Sequence, residues 1–172
     1  MFTKNSFACI YGLQTGAAQH MLDFDFLSGR EASVLCFVNP GKKYALQKLF
    51  YGDKEILVPS FSDFENIPTS ISQKLDTLVN FASFRSAQKS TLQAMDTGYF
   101  KNIIIIAEGI PERHTLEIIE KNKELGLNII GPATVGAMSA GVFRAGNTGG
   151  SLENIVDSRL YEPGNVGFVS KS

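Results

Sequence analysis

The sequence predicts a doubly wound α/β fold of the Rossmann type, a mostly parallel sheet covered by helices on both faces. Three observations predict it. Short runs of β-branched and aromatic residues alternate along the chain with stretches of helical spacing. The run Ile103-Ile104-Ile105-Ile106 is apolar at every position, as a strand must be when both faces of its sheet are buried. The stretches between most strands are long enough for helical crossovers, which are right-handed when they join parallel strands.

Taken in order, strands are expected at residues 7–11, 34–38, 77–81, 103–107, 128–130 and 166–169. Helices are expected at 17–26, 84–97 and 111–125. The last has Pro111 near its first position and Gly126 just past its end, the usual helix punctuation. Two shorter extended pieces, 48–51 and 55–58, flank Gly52-Asp53 and suggest a hairpin near a sheet edge. The Gly-rich segment 131–150 reads as a long loop. With no internal repeat and no low-complexity linker, residues 1–172 read as a single domain.

Composition excludes several function classes. Sixteen Lys and Arg against seventeen Asp and Glu leave a net charge of −1, which argues against a nucleic-acid binder with its basic face. No apolar run approaches the roughly 20 residues of a membrane span, and no signal peptide follows Lys4. Cys9, Cys36, His20 and His114 are scattered, so their spacing forms neither a zinc site nor a disulfide framework. Both Cys fall in expected strands and read as structural, and both His read as surface or packing residues. Free Cys in apolar surroundings fit a reducing, cytoplasmic setting.

In such sheets ligands bind beyond the carboxyl ends of the strands, where the strand order reverses. After the first strand comes Gly12-Leu13-Gln14-Thr15-Gly16. Small residues allow a tight turn there, and the helix start offers unpaired N–H groups to a phosphate. The two glycines stand four apart and do not complete a G-x-G-x-x-G fingerprint; a plain strand-to-helix turn is the alternative. After the second strand come Lys42 and Lys43, where an NAD-binding unit usually carries Asp or Glu. Two cations favour a ligand with an extra phosphate, NADP or coenzyme A; as a structural alternative they are a solvated pair on a turn.

Beyond the strand at 77–81 come Ala82-Ser83-Phe84-Arg85-Ser86. Ser83 is a candidate helix cap, which would put Arg85 in the first helical turn against the macrodipole; a bound anion would relieve that conflict. Beyond the poly-Ile strand, Glu112 has an ordinary place in a first helical turn. Glu108 comes earlier and is free to accept from a ligand amide or hydroxyl. Micromolar binding requires about −8 kcal/mol, and one hydrogen bond to a charged group contributes on the order of 1.5–3 kcal/mol. Several loops must therefore converge to hold a large anionic nucleotide.

The loops themselves are familiar. Gly12-Leu13-Gln14-Thr15, Asn80-Phe81-Ala82-Ser83-Phe84-Arg85-Ser86-Ala87, Glu108-Gly109-Ile110-Pro111, Ile129-Ile130-Gly131-Pro132 and Gly146-Asn147-Thr148-Gly149-Gly150 resemble the ATP-citrate lyases. The resemblance runs from about Phe7 to Ser172 and lies in the part of those enzymes related to the succinyl-CoA synthetase α-subunit. It implies a CoA-binding domain whose full enzyme forms citryl-CoA, and then acetyl-CoA and oxaloacetate, from citrate, CoA and ATP. Carried onto matching positions, Phe81, Ser83, Arg85 and Ser86 look like contacts to the nucleotide end of CoA. Ile106, Ala107 and Glu108 look like contacts to its body. Leu13, Gln14, Thr15 and Gly16 look like backbone contacts to its phosphates.

At Pro40-Gly41-Lys42 the chain is closer to the succinyl-CoA synthetases, where the matching Lys touches CoA. The family's phosphorylated His, in a Gly-His-Ala-Gly setting, has no counterpart in this sequence, so the resemblance implies no catalytic residue and no metal within it. Ser170 and Ser172 look like the beginning of the family's phosphate loop. ATP and Mg2+ would be used by the full enzyme and not bound here. The implied partners are the phosphohistidine domain, an ATP-grasp part and a citrate-synthase-like part. The rival readings are a succinyl-CoA synthetase α-type domain, an NADP-dependent oxidoreductase domain and a non-catalytic nucleotide sensor.

Overall fold

The computed structural model describes residues 1–170. Its elements run β1 (Ala8–Tyr11), α1 (Thr15–Leu27), β2 (Val34–Val38), β3 (Ala45–Tyr51), β4 (Lys54–Phe61) and a 3-10 turn (Phe64–Asn66). There follow α2 (Thr69–Ser72), β5 (Thr77–Asn80), α3 (Ala87–Thr97), β6 (Asn102–Ile105), α4 (Glu112–Leu125) and β7 (Asn128–Ile130). The chain then forms β8 (Gly136–Ser139), β9 (Phe143–Gly146) and α5 (Leu152–Asp157).

Seven strands form one sheet in the order β3-β4-β2-β1-β5-β6-β7. Every neighbouring pair in it is parallel except β3 with β4, which form an antiparallel edge hairpin. The chain leaves β1 toward β2 on one side, and β5 returns to the other side of β1. The order therefore reverses between β1 and β5. This is the doubly wound architecture that the strand–helix alternation predicts.

The poly-Ile strand explains why both faces must be apolar. Ile103 and Ile105 pack with Cys9, Cys36, Leu78 and the helix residues Ala94, Met95 and Ile118. Ile104 points the other way, into a layer with Ile10, Phe37, Val79 and the α1 residues Ala18, Met21 and Leu22. Period-two alternation thus feeds two cores from one strand. Fully burying an aliphatic side chain contributes about 1.5–3 kcal/mol, so these central strands dominate the hydrophobic stabilisation.

Polar groups fix the periphery. Gln19 of α1 donates through Nε2 to the Phe50 carbonyl at 2.8 Å and accepts from the Phe50 N–H at 2.9 Å. The amide closes part of the free edge of β3, where an open backbone would invite another strand. At the far end of α1, Asp25 and Arg30 are buried 3.5 Å apart. The Asp25 carboxylate also accepts from the Ser33 N–H at 2.7 Å. Arg30 donates to the carbonyls of Val142 and Ser6, at 2.9 and 2.5 Å. Burial outweighs Arg30 and the Ser33 donor, and pushes the Asp25 carboxyl up from 3.8 to about 6.

The structure corrects three expectations. Residues 166–169 form no strand: Val166, Phe168 and Val169 are 88–98% exposed, so no sheet neighbour supplies the pairing that their β-branched pattern suits. Segment 131–150 is not one loop, because β8 and β9 pair antiparallel within it, Gly136 opposite Gly146. Third, α3 starts at Ala87, three residues later than expected. Ser83 is consequently not its cap, and Arg85 lies in the turn before the helix. There the Ser83 carbonyl accepts from the N–H groups of Ser86 and Ala87, at 2.9 and 2.8 Å.

Candidate functional site

The carboxyl ends of β1, β2, β5 and β6 share one edge of the sheet, and the backbone ladder continues past them. Gly12 N–H donates to Val38 O at 2.8 Å, Phe81 N–H to Tyr11 O at 2.9 Å, and Ile106 N–H to Asn80 O at 3.0 Å. Ala133 N–H donates to Ala107 O at 2.9 Å. Four loops that are distant in sequence are thereby held side by side. Leu13, Gln14, Thr15 and Gly16 stand at the start of α1. Phe81, Ser83, Arg85 and Ser86 follow β5, Ile106, Ala107 and Glu108 follow β6, and Lys42 follows β2 in the turn closed by Lys42 N–H on Asn39 O.

The loops after β1 and β5 flank the reversal in strand order and touch at Gly12 and Phe81. Phe81 and Ile106 are half-buried against the α1-side core, and Ala107 against the opposite one. Leu13, Gln14, Thr15, Gly16, Lys42, Ser83, Arg85 and Glu108 are exposed. The Arg85 guanidinium lies 5.3 Å from the Phe84 ring centre, an exposed cation–π contact. Ser170 follows the exposed stretch through residue 169, and Ser172 lies outside the described residues.

The helices α1 and α3, which start at this crevice, have open N-termini. Neither α1 nor α3 has a side-chain hydrogen bond at its N-cap or an acidic residue in its first turn. The short α2 shares both features, whereas α4, also without a side-chain cap, begins with Glu112, and α5 is capped by Ser151 and carries Glu153. An uncapped helix N-terminus presents unpaired N–H groups and partial positive charge. Two such termini, with Arg85 just before α3 and Lys42 in the turn after the neighbouring β2, suit an anionic ligand with more than one phosphate.

A cleft of about 270 Å³ opens beside this edge, bordered by Tyr11, Val38, Pro40, Asp63, Ser86 and Lys89 among others. Of the residues that sequence reasoning selected, only Ser86 borders it. Tyr11 stacks on Phe64 at 5.5 Å, and burial, followed by the Asp63 charge, pushes its phenol up. The phenol therefore stays protonated and keeps a donor in the cleft. Tyr11, Asp63 and Lys89 escaped the sequence reading. For Lys89 a signal existed in the helix expected over 84–97, where it would stand one turn after Arg85 on the same face, although in the structure Arg85 precedes the helix.

Asn80 also escaped notice. At the end of β5 it is completely buried, bonded to the loop that follows and to α3. His20 lies on α1 with Nδ1 3.0 Å from Asn147 Oδ1, and His114 lies on α4. Cys9 and Cys36 are buried, free and opposite one another on β1 and β2. Burial first, then the Cys36 thiol, pushes the Cys9 thiol up and leaves it unreactive. Among the described residues no group of three His, Cys, Asp or Glu could hold a metal ion, and no helix is long and apolar enough to cross a membrane.

No protein-family model matches the chain. It is 47% identical to the probable ATP-citrate synthase subunit 1 of Schizosaccharomyces pombe, across all of this chain and 28% of that protein. It is 46% identical to the ATP-citrate synthase of Homo sapiens, across all of this chain and 16% of that protein. The ATP citrate lyase of Methanothrix soehngenii, solved in complex with citrate and coenzyme A, matches at a TM-score of 0.95 and 43% identity. That match covers the whole of this chain and 28% of the archaeal one. This chain thus spans between about a sixth and a little over a quarter of these relatives. The resemblance that the loop motifs carry holds in sequence and in backbone: along its whole length the chain is related to one segment of the ATP-citrate synthases.

Proposed function

We propose that this chain is the CoA-binding domain of an ATP-citrate lyase, contributing to ATP-dependent formation of citryl-CoA and then of acetyl-CoA and oxaloacetate. The observation that carries this reading is the pair of uncapped helix N-termini, α1 and α3, flanking the reversal in strand order. The archaeal relative with the same backbone was solved with citrate and coenzyme A, which supports CoA as the anion those termini receive. CoA is a diphosphate with a further 3′-phosphate, so it matches two positive helix ends and a cationic loop.

In this reading the loop Leu13, Gln14, Thr15 and Gly16 binds the diphosphate through backbone N–H groups. Phe81, Ser83, Arg85 and Ser86 hold the nucleotide end, with Lys42 on its other side. Ile106, Ala107 and Glu108 line the path of the pantetheine arm, and Ser170 and Ser172 begin a phosphate loop. Residues 1–172 act as one ligand-holding domain. The phosphohistidine, the ATP and Mg2+ site and the citrate-synthase-like chemistry belong to other parts of the enzyme, and the setting is cytoplasmic. The domain supplies binding and orientation and does not turn over alone.

Calorimetric titration of the full chain with CoA tests the reading, with NADPH titrated in parallel. Saturable CoA binding with a raised melting temperature, and no response to NADPH, is expected. A folded chain that ignores CoA overturns the proposal. A preference for NADPH would favour the oxidoreductase reading that Lys42 and Lys43 first suggested.

A further inference from the structure

The loop that presents Phe81, Ser83, Arg85 and Ser86 has no strand or helix of its own, yet one buried side chain holds both of its ends. Asn80 Oδ1 accepts from the Ala82 N–H at 2.9 Å. Asn80 Nδ2 donates to Ser90 Oγ at 2.9 Å and to Thr91 Oγ1 at 3.0 Å, both on α3. Ser90 Oγ in turn donates to the Ser86 carbonyl at 3.0 Å, at the other end of the loop. The Ala82 N–H can bond only to the amide oxygen, so the orientation of the amide is chemically determined.

An amide at 0% exposure is an expensive way to fill space beneath a sheet edge. Burying it without partners would be destabilising, and an apolar side chain of similar size would avoid that risk. What an apolar residue cannot do is tie the first residues of the loop to the first turn of α3. We propose that Asn80 is a positioning residue for nucleotide recognition. It fixes the 81–86 turn relative to the α3 N-terminus, so that Ser83, Arg85 and the unpaired helix N–H groups meet the nucleotide phosphate in one geometry. This inference rests on the CoA reading above.

The test is a double-mutant cycle on CoA affinity in the full chain, using Asn80→Ala and Arg85→Ala, with amide hydrogen exchange at Ala82 as a readout independent of ligand. Ile118→Val, on the buried face of α4, serves as a destabilised control that leaves CoA affinity within about twofold. Asn80→Ala is expected to weaken CoA at least tenfold and to expose the Ala82 amide to exchange. In its background the further loss from Arg85→Ala should shrink to less than about threefold, because a displaced loop no longer delivers the guanidinium. Thr91→Val removes one acceptor with little change of shape and should weaken CoA in the same direction; it carries the test if Asn80→Ala does not fold. Unchanged CoA affinity in these variants, or fully multiplicative losses in the cycle, overturns the role of Asn80. Failure of the wild-type chain to bind CoA is a different result, which overturns the reading beneath it.

Discussion

Gly12 and Phe81 meet across the crevice between β1 and β5: a Cβ placed on Gly12 would stand 3.5 Å from the Phe81 Cβ. That is ordinary van der Waals contact, so space alone would tolerate alanine. The backbone would not, because φ at Gly12 is +91°, a region that side chains disfavour. Gly12→Ala should therefore cost about 1–3 kcal/mol and weaken CoA as the loop relaxes. A chemical-denaturation midpoint that does not move would contradict this.

Gly131 should be the less forgiving position. Its φ is +97°, and an added Cβ would collide with the Ile105 carbonyl oxygen, a backbone atom of the central sheet that cannot swing aside. Overpacking and strain then add, and Gly131→Ala should lose more stability than Gly12→Ala, by about 1–3 kcal/mol. Thermal melts of the two variants side by side decide the matter; equal losses would show that the steric clash is relieved.

Arg85 is exposed and has no ion pair among the described residues, and its guanidinium lies near the Phe84 ring. Arg85→Ala should leave the melting temperature almost unchanged. If the guanidinium meets the 3′-phosphate, the variant should lose about tenfold or more in CoA affinity, on the order of 1.5–3 kcal/mol, and far less toward dephospho-CoA. Equal losses for the two ligands would remove Arg85 from that phosphate.

The Asp25–Arg30 pair predicts a pH dependence opposite to that of most carboxylates. Folding raises the Asp25 carboxyl from 3.8 to about 6, so the native state binds this proton more tightly than the unfolded chain. Its contribution is then fully present below about pH 4 and is lost as pH rises through about 6. From pH 7 to pH 4 the stability of the wild type relative to Asp25→Asn should improve by roughly 2–3 kcal/mol. A difference that stays flat with pH, in urea titrations at several pH values, would show that Asp25 titrates normally.

How much of this was readable in the chain depended on whether one residue's neighbours lie close in sequence. The strand around Ile103 was readable because burial on both faces leaves a continuous apolar run. The α4 boundaries were readable because Pro111 and Gly126 act through their own backbones. Residues 166–169 misled because β-branched alternation states what a strand needs, not whether a neighbouring strand exists. The β8–β9 hairpin was hidden because five of its eight residues are Gly, Ala or Ser, which leaves Met138, Phe143 and Arg144 too few to set an alternation. The candidate loops lie at strand ends, as the chain's pattern suggested, but their support was not legible. Asn80 reads locally as a strand terminator, and its partners Ser90 and Thr91 become meaningful only once α3 folds back over β5.

The hydrogen bonds that carry the ladder past the strand ends, from Gly12 to Val38, Phe81 to Tyr11 and Ile106 to Asn80, have a kinetic consequence. Loops already stitched to one another do not have to be ordered by an incoming ligand, so little conformational entropy is lost on association. Encounter should then proceed in a single step whose rate rises linearly with ligand concentration, without the plateau of a slow closure. Differences in affinity among site variants would accordingly appear in how long the complex lasts rather than in how fast it forms.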